Sequence, residues 1–287
     1  MKNSEMNVCP CHVRTVKIGR HVSVGNSGAK LLVIAGPCVI ESQEHCLMIA
    51  EKMQEMCAAA DVQYIFKASY DKANRSGANA YRGPGLEKGL EILSAVREQM
   101  DVDILTDVHT QEQATRAAQV VDMIQIPAFL CRQTDMLIAA AKTGKPVNVK
   151  KGQFMAPWDM KNVCDKIESA GNSDMMLTER GASFGYNNLV CDPRSLAVMR
   201  SFGYPVMFDA THSVQLPGGQ GTCSDGQRQF VFPLARSAAA VGVDALFFEV
   251  HNDPCKALCD GPNSMPLDMM PTLLRQIKAF YDLNQAQ

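Results

Sequence analysis

Nearly every short apolar run in this chain is followed at once by side chains that can do chemistry. Gly36-Pro37-Cys38 follows the first run, Lys67, Lys72, Asn74 and Arg75 follow the second, and Asp107 and His109 the third. Gln125 with Pro127, Asn148 with Lys150 and Lys151, Glu179 with Arg180, Asp209 with His212, and Glu249 with His251 continue the series. Two groupings stand out. The cations Lys67, Lys72, Arg75, Lys150 and Arg180, gathered at one mouth, would repel one another unless anions neutralised them. Arginine binds phosphate or carboxylate as a bidentate fork and lysine supplies a point charge, so small phosphorylated or carboxylated substrates suit the set. Structural ion pairs with Asp107, Glu179 and Asp209 are the competing account. The second grouping is Cys38, His212, Glu249 and Asp260. A thiol, an imidazole and two carboxylates suit a borderline divalent ion such as Zn²⁺, Fe²⁺ or Mn²⁺. A free cysteine after a strand is more often a small buried residue, so spacing alone leaves both readings open. The pairs Cys9/Cys11 and Cys255/Cys259 have no matching His or Cys pair and read as structurally neutral.

The runs that must position these side chains are Leu31–Ala35, Val62–Lys67, Asp103–Asp107, Met123–Ile126, Pro146–Lys150, Met175–Thr178, Pro205–Asp209 and Ala245–Glu249. Helical periodicity lies between them, which is the pattern of parallel strands joined by crossover helices. Leu86, Leu90, Leu93 and Met100 fall on one helical face after the turn Arg82-Gly83-Pro84-Gly85. Leu267, Met270, Leu273, Leu274 and Ile277 do the same near the end, and Asp192-Pro193 reads as an N-cap followed by proline at the first helical position. The pattern predicts an α/β fold, a single (β/α)8 TIM barrel, with its active site at the C-terminal strand ends. Alternation over Val16–Val22 predicts a small hairpin covering the barrel bottom. Residues 1–28 then form an N-terminal extension and 29–287 the catalytic barrel.

Composition narrows the class further. The chain has 287 residues, 46% hydrophobic and 20% charged, with a formal net charge of −2. Length alone favours two domains at about 150 residues each, but eight strand runs favour one barrel. No polar low-complexity tract or block of like charge appears, which argues against disordered tails and a nucleic-acid partner. No long apolar stretch suggests a membrane partner, Met1 to Lys17 lacks a signal-peptide core, and eleven scattered cysteines fit a reducing compartment. A cytoplasmic protein is expected.

The ordered motifs carry a resemblance. Ile34-Ala35-Gly36-Pro37-Cys38-Val39-Ile40-Glu41-Ser42, Phe66–Ser76, Thr106–His109, Gln125–Asp135, Asn148–Lys151, Glu179–Tyr186, Phe208–Ser213 and Cys259–Pro262 span most of the chain. This set resembles the 3-deoxy-D-manno-octulosonate 8-phosphate synthase family, within the barrel enzymes that condense phosphoenolpyruvate with a sugar phosphate. The resemblance implies condensation of phosphoenolpyruvate with arabinose 5-phosphate, giving the sugar acid phosphate used for lipopolysaccharide. It implies that Lys67, Lys72, Lys150 and Arg180 hold phosphoenolpyruvate. Asn74, Arg75 and Ser76 would meet the sugar phosphate, with Asp107 near its hydroxyls. Arg132 would reach the sugar phosphate of a neighbouring subunit in a homotetramer.

In that family, cysteine after Gly36-Pro37 marks the metal-dependent branch and asparagine the metal-free one. Cys38 therefore makes Cys38, His212, Glu249 and Asp260 the expected ligands of a divalent metal, Zn, Fe or Mn. Gly77 stands where the family usually has a second small hydroxyl residue, which removes one phosphate donor. His109 reads nearly as well as a structural histidine bonded to Asp107. The related synthase that uses erythrose 4-phosphate carries Lys-Pro-Arg-Thr where this chain has Lys72-Ala73-Asn74-Arg75, which favours the five-carbon acceptor. A silent barrel that only senses sugar phosphates would need no metal poised at the reacting carbon.

Overall fold

The computed structural model describes residues 13–25, 28–75, 77–219 and 224–285. Eight parallel strands run in chain order: β1 (Leu32–Gly36), β2 (Gln63–Lys67), β3 (Asp103–Asp107), β4 (Met123–Ile126), β5 (Val147–Lys150), β6 (Met175–Glu179), β7 (Val206–Asp209) and β8 (Ala245–His251). Each pairs with the next, and β8 also pairs with β1, closing a (β/α)8 TIM barrel. The strands are buried almost throughout, because one face fills the interior and the other lies under helices. That double burial is why they read in the sequence as largely apolar runs.

The helices are α1 (Gln43–Ala59), α2 (Leu86–Met100), α3 (Gln111–Ala117), α4 (Thr134–Lys142), α5 (Met160–Ser169), α6 (Arg194–Arg200), α7 (Val231–Val241) and α8 (Met270–Gln285). Ser42 caps α1 by accepting from the His45 N–H, and Thr110 caps α3 by accepting from the Gln113 N–H. The α2 stripe buries Leu90, Leu93 and Val96, whereas Leu86 and Met100 stay partly exposed. Gly89 in α2 lies where a Cβ would sit 2.2 Å from Tyr70 Cβ, so only glycine lets the helix approach the loop after β2 this closely. In α6 the Asp192-Pro193 reading holds: Asp192 Oδ1 accepts from the Arg194 N–H at 3.0 Å, and Pro193 follows in helical backbone at φ −57, ψ −26.

Val16–Ile18 and Val22–Val24 form the predicted antiparallel hairpin. Val16, Ile18, Val22 and Val24 pack in one cluster with barrel-interior residues that include Leu32, Ile65, Leu105, Met123 and Met207. The hairpin therefore plugs the bottom of the barrel. Each buried valine or isoleucine contributes roughly 1.5–3 kcal/mol. Asp103, the first residue of β3, locks the turn by accepting from the Arg20 and His21 N–H groups at 2.8 and 3.0 Å. Higher in the interior the filling turns polar, with Asn148 donating to Gln125 at 2.9 Å and accepting from Thr178 at 2.6 Å. Among the described residues, no helix is long and apolar enough to cross a membrane. The eight described cysteines are all free.

Candidate active site

A cavity of about 200 Å³ opens at the C-terminal strand ends, lined among the described residues by the five cations Lys67, Lys72, Arg75, Lys150 and Arg180 and by the carboxylates Asp107 and Asp260. Several cations do have partners. Lys67 Nζ donates to Ser69 Oγ at 2.8 Å and lies 3.5 Å from Asp107, while Lys150 Nζ donates to Asp209 Oδ2 at 2.5 Å. Lys72 is 3.5 Å from Glu249 and Arg75 is 3.8 Å from Asp260. The ion-pair account thus describes part of the set, but not Arg180. Glu179, offered as a partner, instead pairs with Lys151 at 3.4 Å and accepts from the Arg180 and Gly181 N–H groups. Arg180 Nη2 donates to Gln215 at 3.0 Å, and Nη1 is buried with no hydrogen-bond partner. An unmet donor on a buried guanidinium is costly, so the site is built to receive an acceptor there.

Electrostatics follow the geometry. Burial pulls Lys150 and Arg180 below their ordinary values, with Asp209 opposing the shift in both. Burial alone would push the Asp107 carboxyl up, but Lys67 and His109 hold it well below the usual range. His109 Nε2 lies 3.2 Å from Asp107, and its buried Nδ1 has no partner. The exposed Asn74 lines the cavity rim. Ser76 lies outside the described residues. Arg132 is exposed between β4 and α4 and does not line this chain's own cavity.

At the other side of the mouth, β7, β8 and β1 are neighbours, so the residues at their ends converge. Ligand-type atoms of His212, Glu249 and Asp260 all lie within 4.8 Å of one another, and so do those of Cys38, Cys259 and Asp260. His212 Nδ1 is 2.7 Å from Asp209 Oδ2, and its Nε2 is 3.3 Å from Glu249 and 3.7 Å from Asp260. Cys38 Sγ is 3.7 Å from Asp260 Oδ2. Asp260 sits at φ 48, in the left-handed region that aspartate enters more readily than most non-glycine residues.

The donor set fits a divalent cation. Both Glu249 oxygens are buried without a hydrogen-bond partner. Burial would push that carboxyl up, yet His212 and Lys72 keep it far below the ordinary range, hence ionised. Lys72 at 3.5 Å already offsets part of this charge, and the unbonded carboxylate oxygens facing an imidazole nitrogen leave lone pairs open to a cation between them. Burial and the neighbouring Cys259 push the Cys38 thiol up, so its sulfur becomes thiolate only opposite a cation.

Cys259 is a correction to the sequence reading. Taken there as neutral, it lines the cavity, groups with Cys38 and Asp260, and accepts from Arg75 Nη1 at 2.7 Å. Its position beside Asp260 was the available signal. Gln215 was also missed: it accepts from Arg180 and donates to Asp260 at 3.3 Å, so it links the two groupings.

A sequence profile described as the DAHP synthetase I family matches residues 13–285. The chain belongs to the DAHP synthetase I family. The matched span takes in the bottom hairpin as well as the barrel. Curated relatives extend this family membership. The chain is 62% identical over 258 residues, 90% of its own length and 95% of the relative's, to a 2-dehydro-3-deoxyphosphooctonate aldolase of Trichlorobacter lovleyi. It is 59% identical over 264 residues to a protein of that name from Geobacter sp. strain M21, covering 91% of this chain and 97% of the relative. A third, from Geobacter metallireducens, is 58% identical over 264 residues with the same coverage, 91% and 97%.

Proposed function

We propose that this enzyme condenses phosphoenolpyruvate with D-arabinose 5-phosphate and water, releasing phosphate and giving 3-deoxy-D-manno-octulosonate 8-phosphate for lipopolysaccharide biosynthesis. The observation that carries the reading is the cavity lined by five cations, with the unmet Arg180 Nη1 among them, set beside the two ligand groups that share Asp260, one with Cys38 and the other with His212 and Glu249. The near-full-length relatives named 2-dehydro-3-deoxyphosphooctonate aldolase support it.

In this reading Lys67, Lys72, Lys150 and Arg180 clamp the phosphate and carboxylate of phosphoenolpyruvate, the unmet Arg180 Nη1 taking one anionic oxygen. Asn74, Arg75, Ser76 and Asp107 orient the sugar so that its aldehyde carbon meets C3 of phosphoenolpyruvate. A carbon–carbon bond forms there, water adds at C2, and the C2–O bond to phosphate breaks. Holding both reactants in one geometry supplies much of the rate, because it removes the entropy of encounter from the barrier. Cys38, His212, Glu249 and Asp260 hold a divalent ion, Zn, Fe or Mn, with Cys259 next to them. When bound, such an ion supplies Lewis-acid polarisation of the aldehyde or an acidified water.

The same reading assigns Arg132 to the sugar phosphate of a neighbouring subunit in a homotetramer. Phe129, Phe154, Trp158, Phe184 and Tyr186, each at least half exposed on the loops after β4, β5 and β6, support a subunit contact on that side. It also takes residues 1–28 as an extension ahead of a catalytic barrel at 29–287, in a cytoplasmic protein with no nucleic-acid or membrane partner.

Phosphate release from phosphoenolpyruvate, measured with arabinose 5-phosphate against erythrose 4-phosphate and with or without a strong chelator, tests the reading. Release with the five-carbon sugar that the chelator abolishes and divalent metal restores is expected. Preference for erythrose 4-phosphate overturns the substrate assignment. Full turnover in metal-free enzyme overturns the metal assignment.

A further inference from the structure

Outside the cavity the loops after β1 and β8 meet a second time. Glu41, just beyond Cys38, and His45, in the first turn of α1, face His251 at the end of β8. Glu41 Oε1 accepts the Leu258 N–H at 3.0 Å and lies 3.3 Å from His251 Nε2. His45 Nε2 contacts Asn252 Oδ1 at 2.9 Å, and the two imidazole centroids are 4.6 Å apart. Ligand-type atoms of Glu41, His45 and His251 lie within 4.8 Å of one another, which is the composition of a metal centre.

The proton on His251 argues for a different role. Its Nδ1 accepts the Asp253 N–H at 2.9 Å, so the neutral ring carries its hydrogen on Nε2. That N–H faces Glu41 and leaves no lone pair for an ion. One carboxylate thus accepts a hydrogen bond from the segment that ends in Cys259 and Asp260 and sits 3.3 Å from the His251 Nε2 of the same segment, a contact without hydrogen-bond geometry. The far side of the segment is held separately, by the Ser264 and Asn263 N–H groups donating to the Asp260 carbonyl at 3.0 and 3.2 Å.

We infer that Glu41 is a positioning residue: its carboxylate ties the β8–α8 loop to the loop after β1 and so sets Cys259 and Asp260 against Cys38. Its consequence for metal affinity rests on the metal assignment made under the proposed function, whereas its hold on the loop does not. A hydrogen-bonded support of this kind changes affinity through the ligand it orients, and its loss typically weakens metal binding about 10–100-fold.

The test compares Glu41→Ala, Glu41→Gln and Glu41→Asp with wild type in the full chain, by amide hydrogen exchange across residues 252–260 and by Zn²⁺ binding in competition with a chelator. Glu41→Ala should speed exchange in that segment and weaken Zn²⁺ about 10–100-fold. Glu41→Gln, whose carbonyl oxygen still accepts the Leu258 N–H, should restore both. Glu41→Asp withdraws the oxygens by one methylene and should behave like alanine, so the Gln–Asp comparison decides the matter if the alanine variant does not fold. Unchanged exchange in Glu41→Ala, or a Gln variant as loose as alanine, overturns the inference. Two Zn²⁺ per wild-type chain, one of them lost in Glu41→Ala, overturns it in favour of a second metal centre. A wild type that binds no Zn²⁺, Fe²⁺ or Mn²⁺ removes the metal assignment instead, and the exchange result alone then decides the role of Glu41.

Discussion

Asp209 Oδ2 lies 2.7 Å from His212 Nδ1, and this contact decides which imidazole nitrogen faces the cavity. Asp209 is ionised: burial would raise its carboxyl, but His212 and Lys150 hold it well below the usual range. The Nδ1 hydrogen therefore points to Asp209, and Nε2 is left towards Glu249 and Asp260. Asp209→Asn can present an amide N–H to Nδ1 instead and so permit the wrong tautomer. Zn²⁺ affinity, measured by chelator competition, should fall about 10–100-fold. An unchanged affinity would refute the orienting role.

Arg180 separates function from stability. Its buried Nη1 has no partner, so removing the guanidinium relieves an unmet donor while withdrawing the contact that the proposed clamp gives it with phosphoenolpyruvate. Arg180→Ala should lower kcat/KM for phosphoenolpyruvate by about 10–100-fold, the scale of a hydrogen bond to a charged group of ~1.5–3 kcal/mol. The midpoint of urea unfolding should not fall. Unaltered steady-state kinetics would remove Arg180 from the clamp.

Asp107 ties acid stability to the site. Its folded-state carboxyl is held well below the usual range, whereas in the unfolded chain it titrates near ~3.9. A depressed folded value means that the stabilisation is fully present above the unfolded value and is lost as pH falls through the folded one. Asp107→Asn should therefore flatten the fall in unfolding free energy below about pH 4 relative to wild type. Equal slopes in urea titrations across that range would contradict the pairing with Lys67 and His109.

Arg132 is exposed and lies off this chain's own cavity, so its assigned contact needs a second subunit. Arg132→Ala should raise KM for arabinose 5-phosphate and leave KM for phosphoenolpyruvate near wild type. A fully active monomer in analytical sedimentation would exclude the contact.

The barrel was legible because its strands obey a local rule. A parallel strand covered on both faces is largely apolar between its ends, and Asp103–Asp107 and Met123–Ile126 coincide with runs visible in the sequence. The chemistry of each strand end was legible because charged residues interrupt the apolar pattern there, although Lys67, Asp107, Lys150, Glu179, Asp209 and Glu249 are all buried. The hairpin was readable from its alternation, because one face is buried and the other is not. Several strand bounds moved by one or two residues, as at Ala245–Glu249, which runs on to His251.

Convergence belonged to the tertiary structure. Cys38 and Asp260 are 222 residues apart and meet at 3.7 Å because β8 closes onto β1, an event with no local trace. Cys259 looked neutral for that reason, and Gln215 looked like any loop residue until it bridged Arg180 and Asp260. Sequence by itself determined which residue types stand at which strand ends, because burial and backbone periodicity are short-range constraints. Which nitrogen of His212 faces Glu249, which arginine keeps an unmet donor and which carboxylate holds the last loop were decided only by packing elements from opposite ends of the chain together.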